Sequence, residues 1–143
     1  MPSVIEYIDA IARQKKRDVL YVQFHRWEET PRGGRKLVTR GDWRTLPARK
    51  QIIEWLDAND IGWSCCGQYA ILNFEIAYLG QVYIDIPYDK ASSEYRKLEA
   101  FLENPDGSAR IPGASFCYLP YEVAMENAEH DEPGYWDRWA ENF

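Results

Sequence analysis

The sequence predicts an α+β domain in which a four-stranded antiparallel sheet carries helices on one face, with an added N-terminal helix and a helical C-terminal tail. Three observations carry this reading. Short runs of alternating apolar residues recur between residues 18 and 119, as half-buried strands require. Two segments of helical periodicity interrupt them, in the order strand, helix, strand, strand, helix, strand. An amphipathic helical pattern comes before this series, and an aromatic, acidic one follows it.

In residues 3–16, Val4, Ile5, Ile8, Ile11 and Ala12 recur at helical spacing, and Ser3 stands three residues before Glu6, the spacing of a capping box. Lys15, Lys16 and Arg17 suit the negative end of that helix. Residues 18–27 alternate as a strand, with Leu20, Val22 and Phe24 on one face and Val19, Tyr21, Gln23, His25 and Trp27 on the other. Pro31, Gly33, Gly34 and Gly41 predict a long basic loop over residues 28–44. A second helix is expected over 47–59, with Pro47 in its first turn and Ile52, Ile53, Trp55 and Leu56 as its buried stripe. Residues 61–66 read as a short strand, and 70–78 with 81–87 as a hairpin about Leu79-Gly80. A third helix is expected over 91–103, capped by Ser92 or Ser93 and ended by Asn104-Pro105-Asp106-Gly107. Residues 114–119 form the last strand, 120–129 read as helical, and 135–143 as a final short helix.

Without the first helix and the tail, this order is the ferredoxin-like, or split βαβ, pattern, a two-layer sandwich. The chain is therefore read as one domain over 1–143: an N-terminal helix to residue 17, a β-α-β-β-α-β core over 18–119, and an acidic aromatic tail over 120–143. That pattern hosts many unrelated functions, so any function must be argued from individual side chains.

The N-terminus alternates charged and apolar residues, and no apolar run approaches the length of a membrane-spanning helix. Cys65 and Cys66 are adjacent and Cys117 makes the count odd, which points to reduced thiols in a cytoplasmic protein with no membrane partner. The net charge of −6 is unevenly spread: residues 13–50 hold twelve bases against four acids, and residues 122–143 one base against seven acids. The basic third either pairs with the acidic remainder inside the fold, or serves an acidic partner while the tail serves a basic one.

Five groups of residues could carry chemistry. Tyr21, Gln23, His25, Asn73, Glu75, Tyr83 and Asp85 would share the sheet face away from the helices, a possible ligand or acid–base surface centred on His25, Glu75 and Asp85. A solvated sheet face is the plainer account of the same pattern. Cys65, Cys66 and Cys117 lack any nucleophile signature and read as packed thiols. No spacing suits a metal, since adjacent cysteines fail the C-x₂₋₄-C rule, and no cofactor is expected. In the basic loop over 26–44, Arg32, Arg35, Lys36 and Arg40 could meet phosphate or an acidic partner, although the sequence pI near 5.0 weighs against nucleic acid. In the tail, Trp136, Trp139 and Phe143 fall on one helical face near Tyr135, a set suited to docking in a groove.

The leading expectation is a non-enzymatic protein-interaction module of the inhibitor, immunity or adaptor kind, binding another protein or a second copy of itself. It rests on the missing catalytic motif, the charge segregation and the aromatic acidic tail. A small enzyme or ligand-binding domain at the His25 face, and nucleic-acid binding by the basic loop, are the alternatives.

Overall fold

The computed structural model describes residues 7–24, 27–37, 43–67 and 80–135. The helices are α1 (Ile8–Lys15), α2 (Pro47–Ala58), α3 (Ser93–Leu102) and the short α4 (Tyr121–Ala124), which runs into a 3-10 segment over Met125–Asp131. The strands are β1 (Val19–Phe24), β2 (Trp27–Glu29), β3 (Arg35–Leu37), β4 (Trp63–Cys65), β5 (Val82–Ile84) and β6 (Ala114–Leu119). Four of them form an antiparallel sheet in the order β4-β5-β1-β6. The chain is thus a mixed helix–strand protein built on a four-stranded antiparallel sheet.

Sequence chemistry accounts for the element ends. Pro47 opens α2, where its missing N–H costs nothing. Ser92 caps α3 by accepting a hydrogen bond from the Tyr95 N–H at 3.4 Å. Helix α1 stops where Lys16 turns left-handed, at φ 55°. The Gly107 turn after α3 also needs a positive φ, 86°.

Alternation along the strands builds two cores. Leu20, Val22, Phe24, Val82 and Ile84 pack against Ile52 and Leu56 of α2 and Tyr95, Leu98 and Leu102 of α3. Trp55 and Phe101 stack in parallel at 4.3 Å and tie those two helices together. On the opposite face Val19, Tyr21, Tyr83 and Leu119 pack against Ile8, Ile11 and Ala12 of α1 and against Val123 and Ala124 of α4.

This second core corrects the expected two-layer arrangement with helices on one face. Helices cover both faces, because the apolar stripe of α1 needs a partner and finds it in the apolar back of the sheet. The expected loop over 28–44 is also partly structured. Strands β2 and β3 form a hairpin that pairs Trp27 with Leu37, Glu28 with Lys36 and Glu29 with Arg35. Gly33 supplies the positive φ of its turn (83°), and the Gly34 N–H donates to Thr30 Oγ1 at 3.0 Å. The expected cap at Ser3, the strand over 70–78 and the helix beyond Tyr135 lie outside the described residues.

Candidate functional site

The expected sheet-face site sits under α1. Tyr21 and Tyr83 face each other across β1 and β5, and Cys117 extends the row from β6. Tyr83 is buried, Tyr21 and Gln23 are half-buried, and Asp85 is exposed at the end of β5. His25, Asn73 and Glu75 lie outside the described residues. The structure therefore brings together Tyr21, Tyr83 and Asp85 of the expected set, beneath or beside a helix that the expectation left out.

Asp85 is the hub of a polar cluster. Tyr83 Oη donates to Asp85 Oδ1 at 2.8 Å, and Arg17 Nη2 donates to the same oxygen at 3.0 Å. Lys15 Nζ stands 3.5 Å away. The Tyr83 hydrogen bond, with the charges of Lys15 and Arg17, holds the Asp85 carboxyl below the ordinary carboxylate range. Burial, aided by the Asp85 charge, pushes the Tyr83 phenol up to about 12. At neutral pH Asp85 is ionised and Tyr83 keeps its proton, so neither is poised to exchange a proton near neutrality. The cluster clamps the C-terminal end of α1 to β5. It borders a groove of about 420 Å³ lined in part by Gln14, Trp63, Ser64 and Cys65.

A second cluster joins α1 to the 3-10 segment and was not legible as a site. The Arg13 guanidinium donates to Asp9 Oδ2 at 2.8 Å, to both oxygens of Asp131 at 2.7 and 2.9 Å, and to the Ala124 carbonyl at 3.0 Å. Asn127 Nδ2 also donates to Asp9. Burial opposes the charge on Arg13, but the two carboxylates outweigh it and hold the pKa above its ordinary value. The i, i+4 spacing of Asp9 and Arg13 was its only sequence signal. This pairing realises part of the internal attraction between the basic and acidic regions.

The thiols are packed. Cys66 is fully buried, which pushes its pKa up to about 12, and burial raises Cys117 as well. Arg49 Nη2 approaches Cys65 Sγ at 3.7 Å. All three cysteines are free of disulfides. Among the described residues no group of His, Cys, Asp and Glu is placed to hold a metal ion, and no helix is long and apolar enough to cross a membrane.

Of the basic loop, Arg32 is exposed in the β2–β3 turn, Arg35 and Lys36 fall on β3, and Arg40 lies outside the described residues. Of the aromatic tail, Tyr135 stacks on buried His130 with ring centres 4.5 Å apart. Trp136, Trp139 and Phe143 lie outside the described residues. The segment just before them presents an acidic surface. Glu122, Glu126 and Glu129 are exposed on successive turns, and Met125, 43% exposed, lies among them. Among the described residues no base forms an ion pair with any of these three glutamates. Asp131, in the same segment, spends its charge inward on Arg13.

No protein-family model matches the chain, and no curated protein or solved structure is significantly similar to it.

Proposed function

We propose that the chain is a non-enzymatic protein-interaction module of the inhibitor, immunity or adaptor kind. Its binding surface is the acidic segment from α4 to Tyr135, and its partner is a protein with a basic surface. The observation that carries this reading is the set of exposed carboxylates of Glu122, Glu126 and Glu129 around exposed Met125, with no basic ion-pair partner among the described residues. A basic partner would be steered by these charges and anchored on an apolar centre. The reading is further supported by the filled back face of the sheet, since α1 occupies the surface that a ligand at Tyr21 and Tyr83 would need. The core is inferred to be ferredoxin-like. The sheet order β4-β5-β1-β6 with every neighbour antiparallel supports that assignment, as do α2 and α3 lying together on one face. Three free thiols support a cytoplasmic, reducing location.

The test is retention of partners by the immobilised full chain from native lysate, with nuclease and across a salt series. A stoichiometric protein should survive nuclease, release as salt rises, and be lost from the triple variant Met125→Ser, Glu126→Lys, Glu129→Lys. A shortened chain for the same test should end after Tyr135, which keeps Asp131 on Arg13 and Tyr135 stacked on His130. Retention that is indifferent to both salt and the triple variant would move the binding surface elsewhere.

A further inference from the structure

We propose that the groove between α3 and the turn after it binds a small zwitterion of dipeptide size, with an ammonium at one end and a carboxylate at the other. The groove holds about 680 Å³, a volume suited to a small ligand. Arg96, Glu99, Ala100 and Glu103 line it from the helix side, Pro105 and Arg110 from the turn. Positions 96, 99, 100 and 103 recur at the spacing of one helical face, so α3 turns charges of both signs toward this space. Among the described residues none of these four charges forms an ion pair. The main chain holds the two guanidinium groups instead. Arg96 Nε donates to the Lys90 carbonyl at 3.0 Å, and Arg110 Nη1 to the Ala100 carbonyl at 2.8 Å. Each arginine keeps further N–H groups to offer a ligand. Glu99 and Glu103 stand four residues apart on the helix, where like charges repel. Burial, and then the charge of Glu99, raise the Glu103 carboxyl, while Glu99 is engaged by the Tyr95 phenol.

The ligand class follows from complementarity. A lone cation would meet two guanidinium groups, and a lone anion two carboxylates. A molecule with both signs satisfies both. Its ammonium, set between Glu99 and Glu103, relieves their repulsion. Its carboxylate reaches Arg96, where the planar fork of donors suits it, and Arg110 is left to donate to the peptide carbonyl. Spacing selects the size. The midpoint of Glu99 and Glu103 falls at position 101, five residues beyond Arg96, which is about 7.5 Å along a helix. The ends of an extended dipeptide are about 7 Å apart. A single α-amino acid, with its charges only one residue apart, is too short to engage both ends. Arg96, Glu99 and Arg110 are exposed, so water competes and the complex is weak, with Kd on the order of 1 mM. Helices α3 and α4 pack on opposite faces of the sheet, so this site stands or falls separately from the acidic-surface reading.

The test is titration of the isotope-labelled full chain with glycylglycine, up to about 20 mM at low salt and neutral pH, followed by backbone amide shifts. The shifts should saturate and centre on residues 96–110. N-acetyl-glycylglycine lacks the ammonium and glycylglycine amide lacks the carboxylate. Each should bind at least about fivefold more weakly, and so should free glycine. Arg96→Gln and Glu103→Gln should each weaken glycylglycine about fivefold. Lys97→Gln, on the same helix but outside the groove, should not. The spectrum of each variant reports its own folding, and either of the first two suffices if the other fails to fold. An absence of saturating shifts up to about 20 mM would overturn the proposal. So would shifts centred elsewhere, blocked peptides that bind as well as the free one, or binding indifferent to Arg96→Gln and Glu103→Gln.

Discussion

At the scale of single residues, burial decides which ion pairs matter. Asp9 is 0% exposed, and its carboxylate accepts hydrogen bonds from Arg13 and Asn127 in place of water. Arg13→Ala should therefore lower the unfolding free energy by about 3–5 kcal/mol in urea titration, since it strands a buried charge. Asp131→Asn removes the other carboxylate, but its side chain is 52% exposed. It should cost below about 1 kcal/mol. Equal costs for the two would mean that Asp9 is solvated by some other route. Asp85 obeys the same logic with the pH as variable. Its folded pKa is lowered by Tyr83, Lys15 and Arg17. Its contribution is therefore present above the unfolded value of about 3.9 and is lost as pH falls through the lowered folded value. Because Asp85 is partly exposed, Asp85→Asn should remove below about 1 kcal/mol at neutral pH and leave no difference from wild type at the acid end.

At the scale of elements, α1 changes the character of the sheet. Ile8 is fully buried on the back face, between α1 and the strands. Ile8→Ala should cost about 2–5 kcal/mol by denaturant titration, as large-to-small changes in cores do. A cost under about 1 kcal/mol would mean that α1 is not packed there. The helices over 47–58 and 93–102, the strands at 19–24 and 114–119 and the caps at Pro47 and Ser92 were legible because periodicity and local chemistry report them directly. The position of α1 was not. Its stripe of Ile8, Ile11 and Ala12 announces an apolar face but carries no address, and reading the back of the sheet as open assumed that the address was elsewhere. The β2–β3 hairpin was hidden for a different reason: three-residue strands are too short to show an alternation. The Asp85 cluster joins Arg17 to a residue 68 positions away, a pairing that only the fold can make.

At the scale of the whole molecule, covering both faces of the sheet makes the fold sensitive to alkali. Burial holds the Tyr21 and Tyr83 phenols up to about 12, with Cys117 adding to the shift at Tyr21 and Asp85 at Tyr83. In the unfolded chain both ionise at about 10. Below that pH the folded and unfolded states hold the same phenolic protons, so these residues give stability no slope. Between about 10 and 12 the unfolded chain releases protons that the folded chain keeps, and stability falls as pH rises. A fully shielded phenol would contribute about 1.4 kcal/mol per pH unit. With folded and unfolded values only about two pH units apart the two titrations overlap, which reduces this to roughly 1 kcal/mol per unit each. The urea midpoint should therefore drop steeply over this window, and the double variant Tyr21→Phe, Tyr83→Phe should flatten that slope in part. The slope that remains belongs to Tyr95, raised by burial on the other face, and to the thiols of Cys66 and Cys117, which burial also raises. The double variant is less stable at pH 7, because Tyr83 gives up its bond to Asp85, but its slope reports only the missing phenols. An unchanged slope would mean that Tyr21 and Tyr83 already meet water in the folded state, and hence that α1 leaves the back of the sheet open.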